Sequence, residues 1–170
     1  WRLWDEASHK SRPETETPEV MRGDFAEPLL YLLTLGERDD FPWLDPPPPT
    51  AVENAHCLLT SLGAIDNQQQ ATPLGRELAR LPAHPRLSRL LLAGASHGVL
   101  REASIAAALL SDRDPFRSAE HGRRGPREYG TVRSRSDVVD RVLALQAFHA
   151  GACTPDPALE LHPGGARNVL

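Results

Sequence analysis

Lysine, cysteine and aromatic residues are all scarce in this chain of 170 residues. Lys10 is the single lysine among 19 basic residues, so arginine carries nearly all the positive charge. Cys57 and Cys153 are the two cysteines, far apart in sequence. They exclude a disulfide framework and a zinc site, and they make a cytoplasmic compartment the default expectation. The seven histidines include no pair at metal-ligand spacing beside a cysteine, so no metal site is expected. Aromatic residues make up 5% of the chain, so its cores must be built from Leu, Ala and Val. No apolar run approaches the roughly 18 residues needed to cross a bilayer, which excludes a membrane partner. There is no GxxxxGK[ST] phosphate loop and no Gly-x-Ser-x-Gly elbow. The pairs Asp39/Asp40 and Asp112/Asp114 could in principle do acid–base or metal chemistry. Loop solvation and helix capping explain them better, because Asp112 and Asp114 flank Arg113 just after a helix end. No catalytic constellation is expected. The chain begins at Trp1 with no apolar leader behind it, which reads as the cut end of something longer.

The charge that is present is unevenly placed. Net charge is −4. Residues 1–50 hold 11 acids and 5 bases, a net of −6. Residues 117–135 hold Arg117, Arg123, Arg124, Arg127, Arg133 and Arg135 against Glu120 and Glu128, a net of +4. Such a concentration fits a phosphate-contacting surface, since arginine offers a planar donor fork to phosphate. Arg113, at the end of an Ala/Leu-rich stretch, is a seventh candidate. A solvated loop with no partner is the competing reading. Only Phe116 and Tyr129 lie nearby, too few to argue for base stacking.

Along the chain the pattern is mainly helical. Residues 1–17 read as an extended connector. Asp24-Phe-Ala-Glu27 has the form of a capping box opening a short leucine-rich helix that Gly36 stops. Pro46–Pro49 should be a stiff polyproline spacer. Thr50-Ala-Val-Glu53 reads as a second capping box, with Ala55, Leu58, Leu59 and Leu62 at helical spacing up to Gly63. Ala64-Ile65 and the polar run Asn67–Gln70 suggest a small β-hairpin. Thr72-Pro73 should cap a third helix running to about Leu81. Helix, helix, hairpin, helix is the outline of a winged helix. From Pro85 only helices are expected: one with Leu87, Leu90, Leu91 and Ala95, an Ala/Leu-rich one over 100–111, and one opened by Ser136-Asp137 and carrying Val138, Val142, Leu145 and Phe148. The tail should turn into a further helix. We expect a connector over 1–17, a winged-helix unit over 18–98 and a helical bundle over 99–170.

Four segments in order carry a family resemblance: Thr17-Pro18-Glu19-Val20-Met21-Arg22 running into Leu29–Gly36; Phe41-Pro42-Trp43-Leu44-Asp45-Pro46-Pro47; Ala55–Asp66; and Thr72-Pro73-Leu74-Gly75-Arg76 with Leu81-Pro82 and His84-Pro85-Arg86-Leu87. Together they resemble the region after the second motor domain of DEAH-box helicases, a winged helix followed by a helical ratchet. Trp1-Arg2-Leu3-Trp4 resembles the end of the second RecA-like domain. Trp43–Pro47 and Leu109–Phe116 are similar to the bacterial HrpB-like branch. The resemblance implies a parent that hydrolyses ATP with Mg to move on single-stranded RNA or DNA, with its nucleotide-binding residues upstream and none here. It implies that the winged helix packs on RecA-like motor domains and that the ratchet helps close a single-strand channel. Pro28, inside the first helix, and the uncharged turn at 67–70 depart from the family pattern. Arg76 and Arg86 read as structural bridges between helices, and Trp43 as a hydrophobic anchor.

Two other classes compete. A stand-alone winged-helix DNA-binding regulator needs a basic recognition helix, yet residues 72–81 hold only Arg76 and Arg80 against Glu77. A protein-interaction scaffold would account for the acidic first segment.

Overall fold

The computed structural model describes residues 3–12, 16–37, 41–111, 115–116, 136–151 and 163–169. The chain divides into two compact units, Trp1–Ser88 and Arg89–Leu170. Both are built from helices.

In the first unit, helix α1 spans Glu6–Lys10. An extended connector was expected there, but Asp5 accepts a hydrogen bond from the Ser8 N–H and Lys10 pairs with Glu6 at 2.8 Å, enough to close one exposed turn. A 3₁₀ turn covers Glu19–Met21, and α2 covers Ala26–Leu35. The expected capping box does not form: Phe25 is the N-cap of α2 with no side-chain cap bond, and Asp24 Oδ1 instead accepts from the Ala26 N–H at 2.8 Å in a turn just before the helix. Gly36 ends α2 with φ +84°, and the Glu37 N–H reaches back to the Leu32 carbonyl at 3.1 Å. Helix α3 covers Pro49–Ser61.

The start of α3 corrects two expectations. Pro49 is its first residue and Pro48 its N-cap, with no side-chain cap. Pro49 therefore belongs to the helix rather than the spacer, and Thr50 lies within the first turn and caps nothing. The reason is local: a proline at the first helical position has φ preset and no N–H to leave unpaired. Helix α4 covers Pro73–Leu78, three residues shorter than expected. Thr72 Oγ1 accepts from the Gly75 N–H at 3.0 Å and donates to the Gly63 carbonyl at 2.7 Å. One hydroxyl thus ties the start of α4 to the end of α3.

The expected β-hairpin does not form. Among the described residues there is no strand, and at the expected hairpin there is only an antiparallel bridge between Ile65 and Ala71. Asp66 Oδ1 accepts from the N–H groups of Gln68 and Gln70, which folds the chain back at once. Gly63 ends α3 two residues before the bridge, and Thr72 caps α4 one residue after it. No room is left for a second rung. Around this corner Leu29, Leu30, Ala55, Leu59, Ala64, Ile65, Ala71 and Leu78 are buried with Phe25 and Ala26. Each buried leucine contributes about 1.5–3 kcal/mol relative to an exposed one.

The second unit opens within α5, which runs Pro85–Ser96, and continues with α6, Leu100–Ser111. Gly94 faces Ala103 so closely that any Cβ at 94 would collide with the Ala103 methyl. Helices α7, Asp137–His149, and α8, Pro163–Val169, complete it, so the tail does contain a helix. Its core joins Ile105, Phe116, Val142, Ala144, Leu145 and Ala166, with Val138 and Phe148 packed against them. All four positions read as the apolar face of α7 therefore meet the core.

Gln146 on α7 donates to Glu102 Oε1 on α6 at 2.9 Å. Glu102 has its pKa held below the ordinary glutamate value by its own backbone N–H first, then by Gln146. A depressed carboxyl adds stability above its unfolded pKa and loses it as pH falls through the folded one. In an NMR titration Glu102 should ionise at lower pH than a free glutamate, and Gln146→Ala should move it partly back up. An unchanged midpoint in the variant would assign the shift to the backbone alone.

Candidate nucleic-acid interface

The arginines favoured from sequence, Arg113, Arg117, Arg123, Arg124, Arg127, Arg133 and Arg135, lie outside the described residues. The described flanks of that stretch are well placed. Before it, Phe116 is sunk in the core of the second unit, 6% exposed. After it, Ser136 stands at the head of α7. The Arg141 guanidinium lies 5.8 Å from the centre of the Phe116 ring. The burial of Phe116 removes it as a stacking surface for a base.

In the first unit, Trp43 sits edge-on to Phe25, with ring centres 5.6 Å apart, and against Phe41 at 4.7 Å. It is a hydrophobic anchor, held by aromatic neighbours. Trp43 also lines a cavity of about 570 Å³ with Val20, Phe25, Leu30, Leu81 and Pro85. Its rim carries Glu19, Asp24 and Glu27. Three carboxylates disfavour a phosphate chain, so this cavity is not part of a nucleic-acid path.

Arg76, Arg80 and Arg86 are exposed. None of the three makes an ion pair or side-chain hydrogen bond among the described residues, where the ion pairs are Lys10–Glu6 and His84–Asp24. The reading of Arg76 and Arg86 as bridges between helices is therefore wrong. Other groups hold the turn between those helices. Ser88, fully buried, donates from Oγ to the Ala83 carbonyl at 3.0 Å, and His84 Nε2 meets Asp24 Oδ2 at 3.2 Å. The arginines face outward because of what packs inside. Their neighbours Leu78, Pro85 and Ser88 are small or apolar, and these are the residues that go inside.

Among the described residues no three His, Cys, Asp or Glu side chains could together hold a metal ion. The sequence holds no GxxxxGK[ST] phosphate loop. No described helix is long and apolar enough to cross a membrane.

The first unit is thus a capped three-helix corner with one antiparallel bridge between its second and third helices, and the second unit is helical. Comparison with known families makes the assignment. Residues 58–83 match the winged-helix part of the helicase-associated domain (HA2), and residues 84–148 match its ratchet-like part. The chain belongs to the helicase-associated domain family of DEAH-box helicases. It is 40% identical over 121 residues to the ATP-dependent RNA helicase HrpA of Escherichia coli, a match covering 67% of this chain and 9% of that protein. It is 35% identical over 123 residues to the HrpA homolog of Haemophilus influenzae, covering 67% and 9%. It is 36% identical over 120 residues to the DExH-box ATP-dependent RNA helicase DExH1 of Arabidopsis thaliana, covering 68% and 12%. The chain thus spans about a tenth of the length of these relatives. The two bacterial relatives named here are HrpA proteins, so the narrower reading toward the HrpB branch has no support from them.

Proposed function

We propose that this chain is the non-catalytic helicase-associated region of an ATP-dependent RNA helicase, in which it packs on RecA-like motor domains and helps enclose a single strand. The observation that carries the reading is the unbroken succession of winged-helix and ratchet-like matches across residues 58–148. In this reading residues 1–17 are the connector from the motor, and the winged-helix part gives way to the ratchet-like part near residue 84 rather than at 98. ATP and Mg belong to the parent, upstream, and the setting is the cytoplasm. Arg113, Arg117, Arg123, Arg124, Arg127, Arg133 and Arg135 contact phosphates of RNA or DNA. A stand-alone DNA-binding regulator is disfavoured: α4 is six residues long, about 9 Å, and the turn before it, at residues 67–70, carries no positive charge.

The purified chain should bind single-stranded RNA with an affinity that falls steeply with salt, and should hydrolyse no ATP with or without RNA. Fluorescence anisotropy and a phosphate-release assay measure both. ATP turnover by the chain itself would overturn the proposal, and so would salt-insensitive failure to bind any single strand.

A further inference from the structure

We infer that the apolar cavity of the first unit is a binding site for a small organic cation, an ammonium or amidinium group carried on an apolar ring, a role beyond the proposed function and independent of it.

The cavity walls come from the 3₁₀ turn, α2, the segment holding Trp43, and α4 with the turn into α5. All of them lie in one compact unit. They are already fixed to one another. The Phe25 and Trp43 rings pack edge-on with centres 5.6 Å apart. Asp24 Oδ1 accepts from the Ala26 N–H, and Asp24 Oδ2 meets His84 Nε2 at 3.2 Å, which ties the approach to α2 to the turn before α5. Ser88 Oγ closes that turn onto the Ala83 carbonyl. A ligand therefore enters a formed site and does not have to order it. The volume, about 570 Å³, is in the range of small-molecule sites.

The lining selects the ligand's chemistry. Phe25, Leu30 and Leu78 are buried, Trp43 is half-buried, and the exposed Tyr31 marks the mouth. Every charged residue of the lining is acidic, namely Glu19, Asp24 and Glu27, and no arginine, lysine or histidine lines it. Asp24 is engaged by His84 and the Ala26 N–H. Glu19 and Glu27 make no ion pair or side-chain hydrogen bond among the described residues. An apolar ring gains by leaving water for these walls. A positive group gains twice, from the faces of aromatic side chains and from the two uncommitted carboxylates. An anion is repelled. A neutral molecule of the same shape uses the walls and leaves the carboxylates without a counter-charge.

The test uses three probes with one apolar body and different charge: phenethylamine, phenethyl alcohol and phenylpropionate. Each is titrated into the chain at neutral pH, and the Trp43 indole N–H is followed by NMR with that of Trp4 as reference. Phenethylamine should shift the Trp43 signal saturably, and phenylpropionate should not. Exposed ion pairs are individually weak, so the ammonium should bind about five- to tenfold tighter than the alcohol. Glu19→Gln/Glu27→Gln should keep its helical circular dichroism and bind the two alike. The control Asp45→Asn/Glu53→Gln, with both changes outside the cavity, should keep the preference. No saturable shift with phenethylamine, or equal affinity for amine and alcohol in the unmodified chain, would overturn the inference. So would an equal loss of preference in the control, which would show a bulk-charge effect. Binding of a phenylalanine-centred dibasic tripeptide without binding of phenethylamine would assign the cavity to a protein segment and overturn it as well. A Trp43 shift on raising the chain concentration alone would do the same in favour of a second copy. Failure of the chain to bind single-stranded RNA would remove the proposed function and leave this inference standing.

Discussion

Gly75→Ala should destabilise the winged-helix part by about 3 kcal/mol, even though alanine is the better helix former. Two opposed effects set the sign. In an open helix the exchange would gain about 1 kcal/mol, because glycine pays the larger backbone entropy cost. Here the added Cβ would overlap the Ala64 carbonyl oxygen and come within 2.9 Å of its carbonyl carbon. The obstacle is backbone at the end of α3, so no rotamer change can relieve it. Overpacking of this kind costs about 1–3 kcal/mol, and more where the neighbour is rigid. That neighbour is rigid, because the Ala64 carbonyl accepts from the Thr72 N–H at 3.0 Å and from Thr72 Oγ1 at 3.2 Å. The strain should therefore outweigh the propensity gain. For a unit of this size the loss corresponds to roughly 10–20 °C in Tm, read by thermal or urea denaturation. Gly23→Ala is the control, since its Cβ would meet the Glu19 carbonyl at an ordinary 3.6 Å. A Gly75→Ala variant more stable than the original would show that α4 does not press on the end of α3.

The helix ends were the most legible part of this fold, because they depend on few residues and short range. Thr72-Pro73 announced α4, and the structure supplies the cap bond. Gly36 and Gly63, read as stops, have positive φ, and so do Gly98 and Gly151 at the ends of α5 and α7. The helix starts were less legible where two signals competed. At α3 the Thr50–Glu53 pattern suggested a capping box, but Pro49 one residue earlier began the helix without one. The hairpin failed for a longer-range reason. Ala64-Ile65 and Ala71 can pair, but the cap of α4 and the stop of α3 leave only one rung between them. Nothing in the local pattern of 64–72 reports how soon Thr72 must leave the bridge for its cap. The arginines show the same limit. Which way Arg76 and Arg86 point is decided by Leu78, Pro85 and Ser88 turning inward, a packing outcome that net charge per segment does not contain.

Phe116 gives the second large effect, and it separates packing from recognition at the start of the arginine-rich stretch. Its position in sequence, one residue before Arg117, allowed it a place beside a nucleic-acid base. Its position in space does not: it is 6% exposed and packed with Ile105, Val142, Leu145 and Ala166. Truncation to alanine should cost about 3–5 kcal/mol, the transfer of the ring plus the cavity it leaves. Phe116→Leu keeps most of the apolar volume and should cost only about 1 kcal/mol. The conservative variant is therefore the informative one. A folded Phe116→Leu chain should bind single-stranded RNA with unchanged affinity and salt slope, because a buried ring stacks on no base. The ring does a second service, lying 5.8 Å beneath the Arg141 guanidinium on α7. That contact is electrostatic in origin, and the exchange to leucine removes it along with the aromatic face. Should Phe116→Leu fold normally yet lose RNA affinity about tenfold, as removal of a stacked base contact worth about 1–3 kcal/mol would bring, the ring reaches the strand and the core assignment of Phe116 fails.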